Sequence, residues 1–259
     1  MLSAPRRTLE RGVYTASAGN MAQGVAYVAR QLRVPCTVIV PEHAPATKLA
    51  AVERLGGRIV KVPFDRWWQT LTDHEYPGME GLFIHPVSDR RVMAGNGTIA
   101  LEIFDELSGV DAVLVPYGGG GLSVGIAAGV RALSPRTRVY GCEVETAAPF
   151  RASLTAGHAA TCDYVPSFVD GIGGKSVLAE MWPLASKMLD GALGASVLEV
   201  AAAVCLLVER NRIVAEGAGA ASVAAACKGV RGARRIVCVV SGGNIDATKL
   251  ARILGGQVT

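Results

Sequence analysis

The chain has 259 residues and a formal net charge of +4; 50% of its residues are apolar and 19% charged, against about 25% charged in an average soluble domain. The low charge and a positive mean hydropathy of +0.33 exclude a disordered chain. The arginines are scattered without a basic block, so no nucleic-acid partner is expected. A chain of this size buries roughly 70% of its unfolded surface and needs no disulfide staples.

The opening MLSAPRRTLERG has no apolar stretch of the kind a signal peptide needs. The apolar run at 201–208 falls far short of the ~20 residues of a membrane span. The expectation is a soluble, cytoplasmic protein with no membrane partner. Cys36, Cys142, Cys162, Cys205, Cys227 and Cys238 lie far apart with no CxxC pair, and Cys36, Cys205 and Cys238 fall in apolar runs, as buried reduced thiols do.

Short β-branched runs predict strands at 12–16, 37–40, 58–62, 82–85, 112–116, 138–142 and 235–240. Between them, Ala-rich stretches predict helices at 20–32, 44–55, 97–107 and 122–133. This alternation implies an α/β fold with two parallel-type open sheets and helices on both faces. The first sheet belongs to a smaller domain, 1–89, and the second to a larger one, 90–259. Residues 64–81, with Arg66-Trp67-Trp68 and Tyr76-Pro77-Gly78, read as an irregular surface excursion.

Three loops at strand ends carry the chemistry. The first, Ser17-Ala18-Gly19-Asn20, opens the helix at 20–32; its amides and the helix dipole suit a carboxylate, with an ordinary helix cap as the plain alternative. In the second, Val113-Leu114-Val115-Pro116 leads into four consecutive glycines, Gly118, Gly119, Gly120 and Gly121, and Leu122 starts a helix. Such a loop wraps a phosphate closely, with the helix dipole behind it. The dinucleotide spacing G-x-G-x-x-G fails: counted from Gly118 the third position is Ser123, and from Gly119 it is Val124. No Lys follows the glycines, which excludes the Walker form. A mononucleotide or phosphorylated cofactor fits better. The third loop, Ser241-Gly242-Gly243-Asn244, again sets a hydroxyl and bare backbone at a strand's end.

In chain order the segments TASAGNMAQGVAYVA, AGNGTIALEIFDEL, VPYGGGGLSVGIA, SFVDGIGG, EGAGAASVA and VSGGNID resemble the fold-type II pyridoxal-phosphate enzymes (tryptophan synthase beta-like). The resemblance is to their threonine/serine dehydratase (ammonia-lyase) and serine racemase branch. It implies a pyridoxal 5'-phosphate cofactor and β-elimination with deamination of L-threonine or L-serine to a 2-oxo acid and ammonia. It also implies a small amino-acid substrate and a homo-oligomer, dimer or tetramer. Ser17, Ala18, Gly19, Asn20 and Met21 would hold the substrate carboxylate, and Asn20 would also contact the cofactor's ring hydroxyl. Gly118, Gly119, Gly120, Gly121 and Leu122 would cradle the phosphate, Gly171 would lie near the ring, and Ser241 would bond the pyridine nitrogen. Ala18 stands where the family's racemases carry a second serine, so the SAGN form resembles the dehydratases.

The resemblance also shows departures. The family's Schiff-base lysine lies in a SFKxRGA-type segment upstream of the SAGN loop, and the 16 residues before Ser17 contain no Lys. Lys48, Lys61, Lys175, Lys187, Lys228 and Lys249 match no such motif, so the catalytic residue is unassigned. The expectation is that the N-terminal part carrying it is missing and that turnover is impaired. The alternatives are a non-catalytic phosphate- or cofactor-binding paralogue, or another β-eliminating, β-replacing or racemase member. The cation site of some relatives is matched by Glu143 and the Ala147 carbonyl, but Pro149 occupies the third position, which makes a divalent or monovalent cation doubtful. Tyr117 sits at a position that is small in the family. His85, in FIHP, reads as structural.

Overall fold

A computed structural model describes residues 1–258. The chain divides into two compact units, Met1–Asp89 and Arg90–Thr259.

In the first unit, α1 (Arg6–Glu10) leads into β1 (Val13–Ala16), α2 (Asn20–Leu32), β2 (Cys36–Pro41), α3 (Ala46–Arg54), β3 (Arg58–Val62), α4 (Phe64–Asp73) and β4 (Leu82–Phe83). The four strands form one parallel sheet in the order β3-β2-β1-β4. All four residues of β1 are buried, as expected for a central parallel strand covered on both faces. On α2, Ala22, Val25, Ala26 and Ala29 recur at helical spacing and form its buried stripe. Within the stretch read as an irregular excursion, Phe64–Asp73 form α4, while residues 74–81 are irregular as expected. Trp67 and Trp68 pack with Tyr76, Met79 and Phe83 against Tyr14, Ala16, Ile39, Val62 and Leu71. Burial of the Trp67 and Trp68 rings against one face of the sheet holds as a helix a segment whose paired tryptophans read as irregular.

The second unit runs α5 (Arg90–Glu106), β5 (Ala112–Pro116), α6 (Gly121–Leu133), β6 (Arg138–Val144), α7 (Pro149–Ala156), α8 (Trp182–Met188), β7 (Gly191–Ala195), α9 (Val197–Leu206), α10 (Gly217–Cys227), β8 (Ile236–Cys238) and α11 (Ala247–Leu254). A π-helical turn, Leu207–Asn211, continues α9. The strands again form a parallel sheet, in the order β7-β6-β5-β8. The fold is thus α/β with two parallel open sheets.

Helix α5 begins well before the expected residue 97 because Gly95 and Gly97 lie inside it. A Cβ on Gly97 would stand 2.9 Å from the Gly125 carbonyl oxygen, and one on Gly129 would stand 2.7 Å from the Ala100 Cβ. A Cβ on Gly125 would collide with the Met93 carbonyl. These glycines let α5 and α6 touch backbone to backbone, a tertiary gain that outweighs their low helix propensity.

Of the cysteines read as buried, Cys36 is buried, whereas Cys205 and Cys238 are half-buried; all six are free thiols. No helix among the described residues is long and apolar enough to cross a membrane.

Candidate cofactor site

Strands β5 and β8 are parallel neighbours, so their C-terminal ends lie on the same edge of the sheet. From the end of β5 the chain turns through the glycines into α6. Gly120 has φ +95, which a residue with a Cβ adopts only under strain. Ser123 Oγ donates to the Gly120 carbonyl at 3.1 Å and the Val124 amide donates to it at 2.9 Å, closing the first turn of α6. Among the described residues, the amides of Gly118, Gly119, Gly120, Gly121 and Leu122 find no acceptor. They stand at the positive end of a 13-residue helix, the kind of position that can take a phosphate without any cationic side chain.

Two further segments reach the same edge. A Cβ on Gly118 would lie 3.4 Å from the Gly171 carbonyl oxygen, and one on Gly171 would lie 2.7 Å from the Ala218 Cβ. The Glu216 amide, at the start of α10, donates to the Gly242 carbonyl at 3.0 Å. A Cβ on Gly219 would approach that same carbonyl to 2.5 Å. Ser222 Oγ donates to the Val239 carbonyl at 2.8 Å, fixing the strand that delivers the half-buried Ser241. The second unit therefore brings Gly118, Gly171 and the 241–243 loop together around the N-terminus of α10. Only side chains as small as those of α10 permit backbones to meet this closely.

Two further polar residues stand here, Glu216, which no reading of the sequence singled out, and Asn244, named there only as the end of the third loop. Glu216 is buried, with 4% exposure, and its carboxyl group lies 3.8 Å from the Cβ position of Gly171. Asn244 Nδ2 is buried without a partner among the described residues. Both stood inside quoted motifs, and a polar residue within an otherwise small, apolar run was the available signal. The bare amides, the Ser241 hydroxyl and this unsatisfied amide nitrogen fit a phosphorylated aromatic cofactor.

In the first unit, the Ser17–Met21 loop lies at the C-terminal end of β1. The Ser17 amide donates to the Ile39 carbonyl at 3.1 Å, and the Gly19 amide to Ser17 Oγ at 3.4 Å. Ser17, Ala18, Gly19 and Met21 are half-buried, and Asn20, the first residue of α2, is exposed. His85 Nδ1 accepts the Val87 and Ser88 amides at 3.1 and 2.8 Å, which places the ring proton on Nε2, facing the Leu71 carbonyl at 3.1 Å. Such a histidine is a structural clamp.

Glu143, on β6, is buried, with 1% exposure. Its two carboxylate oxygens accept the amides of Phe150 and Arg151, each at 2.8 Å. Burial pushes its pKa from 4.5 up to about 7, against the pull of those amides and of the Arg151 charge. The Tyr117 ring stacks on Phe150 with centroids 4.4 Å apart. Its hydroxyl is buried without a partner among the described residues, and burial pushes its pKa up. Lys175 is exposed, Lys249 pairs with Asp170 at 3.5 Å, and Lys228 pairs with Glu199 at 3.2 Å.

Residues 1–242 match the family described as "Pyridoxal-phosphate dependent enzyme", and the chain belongs to that family. It is 38% identical over 250 residues to an L-threonine ammonia-lyase of Thermotoga maritima, covering 95% of this chain and 62% of that protein. The processed form of threonine deaminase isoform 2 from Solanum lycopersicum superposes with a TM-score of 0.85 at 31% identity, over 98% of this chain and 76% of that one. Maize serine racemase superposes with a TM-score of 0.88 at 26% identity, over 98% and 79%. The chain thus spans less than two thirds of the length of its Thermotoga relative.

Proposed function

We propose that this chain serves a pyridoxal-phosphate-dependent ammonia-lyase acting on a small hydroxylated amino acid, L-threonine or L-serine. The observation that carries the reading is the row of unengaged amides from Gly118 to Leu122, set beside Gly171 and the Ser241 loop. When bound, pyridoxal phosphate supplies an electron sink for chemistry at the amino acid's α-carbon.

The chain's own residues bind and orient. Gly118 to Leu122 hold the phosphate through backbone N–H donors, which do not titrate and so offer the same donors across the ordinary pH range. Ser241 offers a neutral hydroxyl to the ring nitrogen. A hydroxyl does not force a proton onto that nitrogen as a carboxylate does, so it favours prompt loss of a β-hydroxyl over a long-lived carbanion. The Ser17–Met21 loop offers the substrate carboxylate the start of α2, a 13-residue helix. Ala18 carries no proton-transferring group, which supports elimination over racemisation. The free thiols support a cytoplasmic setting. The relatives named as ammonia-lyase and deaminase support the substrate class. Assembly into a dimer or tetramer belongs to the same reading.

The test is to load the full chain with pyridoxal phosphate, supply L-threonine, L-serine or O-acetylserine, and identify the products. Release of a 2-oxo acid and ammonia from threonine or serine is expected, at a turnover impaired by the lack of an assigned Schiff-base lysine. Cofactor binding without product would make the chain a binding paralogue. Appearance of D-serine or of a β-replacement product would move it to another branch of the family.

A further inference from the structure

We infer that the two amides that open α7, and not a bound cation, are the standing partners of the Glu143 carboxylate, and that this chain holds its glycine loop without a metal ion.

The cation site of some relatives is matched here by Glu143 and the Ala147 carbonyl, and the residues present do not complete one. The third position is Pro149, which brings no side-chain oxygen. Both carboxylate oxygens of Glu143 already accept an amide, at 2.8 Å each. The ionisable neighbours that act on this carboxylate are Arg151, a cation, and Tyr117, Cys142 and Cys162, whose pKa values burial raises so that all three stay neutral. Mg²⁺ or Ca²⁺ requires six or more oxygen ligands, and one engaged carboxylate with neutral or cationic neighbours does not supply them.

The amides do mechanically what an ion would do. Through them Glu143 ties the first turn of α7 to β6, which fixes Phe150. The Phe150 ring stacks on Tyr117, tilted by only 15°. Tyr117 is the residue before Gly118, and the Cβ position of Gly120 lies 3.1 Å from its hydroxyl oxygen. A carboxylate, a helix start and two stacked rings thus back the glycine loop from within the protein. Glu143 and Phe150 act as positioning residues, since neither touches the cofactor loop itself.

The test rests on melting of the full chain and does not depend on the ammonia-lyase reading. Protein treated with EDTA is melted in choline chloride and then in NaCl, KCl, MgCl₂ or CaCl₂ at matched ionic strength. Coincident melting temperatures are expected, and a saturable rise with any one cation overturns the inference. Glu143→Ala leaves the buried Phe150 amide and the part-buried Arg151 amide without their carboxylate and is expected to melt roughly 5 °C lower, again without cation dependence. If that variant does not fold, Glu143→Asp, too short to reach both amides, is expected to melt below the natural chain, again without cation dependence. Phe150→Leu keeps the carboxylate pair but breaks the stack; it is expected to weaken pyridoxal phosphate binding at least threefold at temperatures where the protein stays folded. An unchanged affinity in Phe150→Leu overturns the positioning role, whereas failure of the unaltered chain to bind cofactor counts against the proposed function alone.

Discussion

Gly120 and Gly219 carry the site by what they lack. At Gly120 an alanine would have to adopt φ +95 with its Cβ 3.1 Å from the Tyr117 hydroxyl, at a strain of about 1–2 kcal/mol. Gly120→Ala is therefore expected to lower the melting temperature by roughly 2–6 °C and to weaken cofactor binding, measured by fluorescence titration. Gly219→Ala would drive a methyl to 2.5 Å from the Gly242 carbonyl and displace the Ser241 loop. A loss of at least tenfold in cofactor affinity is expected, and an unchanged affinity would remove Ser241 from the site. Glu143 gives a pH signature. Its pKa rises from 4.5 to about 7 on folding, so the folded protein holds this proton more tightly than the unfolded chain. The group's contribution is complete below 4.5 and is lost as the pH rises through about 7. Comparing melting temperatures of the natural chain and Glu143→Gln between about pH 5 and 8 checks it: the natural chain should lose stability relative to the variant as pH rises.

Helices and strands were legible where side chains announced their period. The strand at 112–116 and the helix at 20–32 coincide with β5 and α2, because a β-branched run and a stripe of Ala22, Val25, Ala26 and Ala29 leave one solution each. Strand β7, GALGA, has no β-branched residue and gave no signal; its pairing with β6 makes it a strand. Helix α10, GAGAASVAAAC, is buried nearly all round and shows no polar face to mark its period. The glycine and Ser241 loops were legible as motifs, and the resemblance set them with Gly171 around one cofactor; the place of α10 among them was not legible, because it follows from backbone approaches that no residue pattern encodes. At this scale the caps are testable. Asp246 accepts the Thr248 and Lys249 amides at 2.9 and 3.2 Å at the start of α11. Asp246→Ala is expected to cost about 1 kcal/mol, a drop of roughly 2–4 °C in a thermal melt.

For the whole molecule, the residues fit a phosphorylated cofactor and the chain belongs to a family that uses one. A ligand bound only by the folded protein stabilises it by mass action, about 2.7 kcal/mol at a hundredfold excess over Kd. Pyridoxal phosphate at that excess is expected to raise the melting temperature by roughly 5–10 °C, with inorganic phosphate giving a smaller rise by occupying the glycine loop alone. We propose that the cofactor's phosphate sits on the loop from Gly118 to Leu122. Hydrogen exchange by mass spectrometry on the full chain, with and without pyridoxal phosphate, tests it most directly, because the amides that find no acceptor in the chain are the ones the phosphate would engage. Cofactor-dependent protection in peptides spanning 117–123, accompanied by 239–245, is the predicted result. Binding that leaves 117–123 exchanging freely, or that protects only a distant segment such as 26–56, would contradict the account.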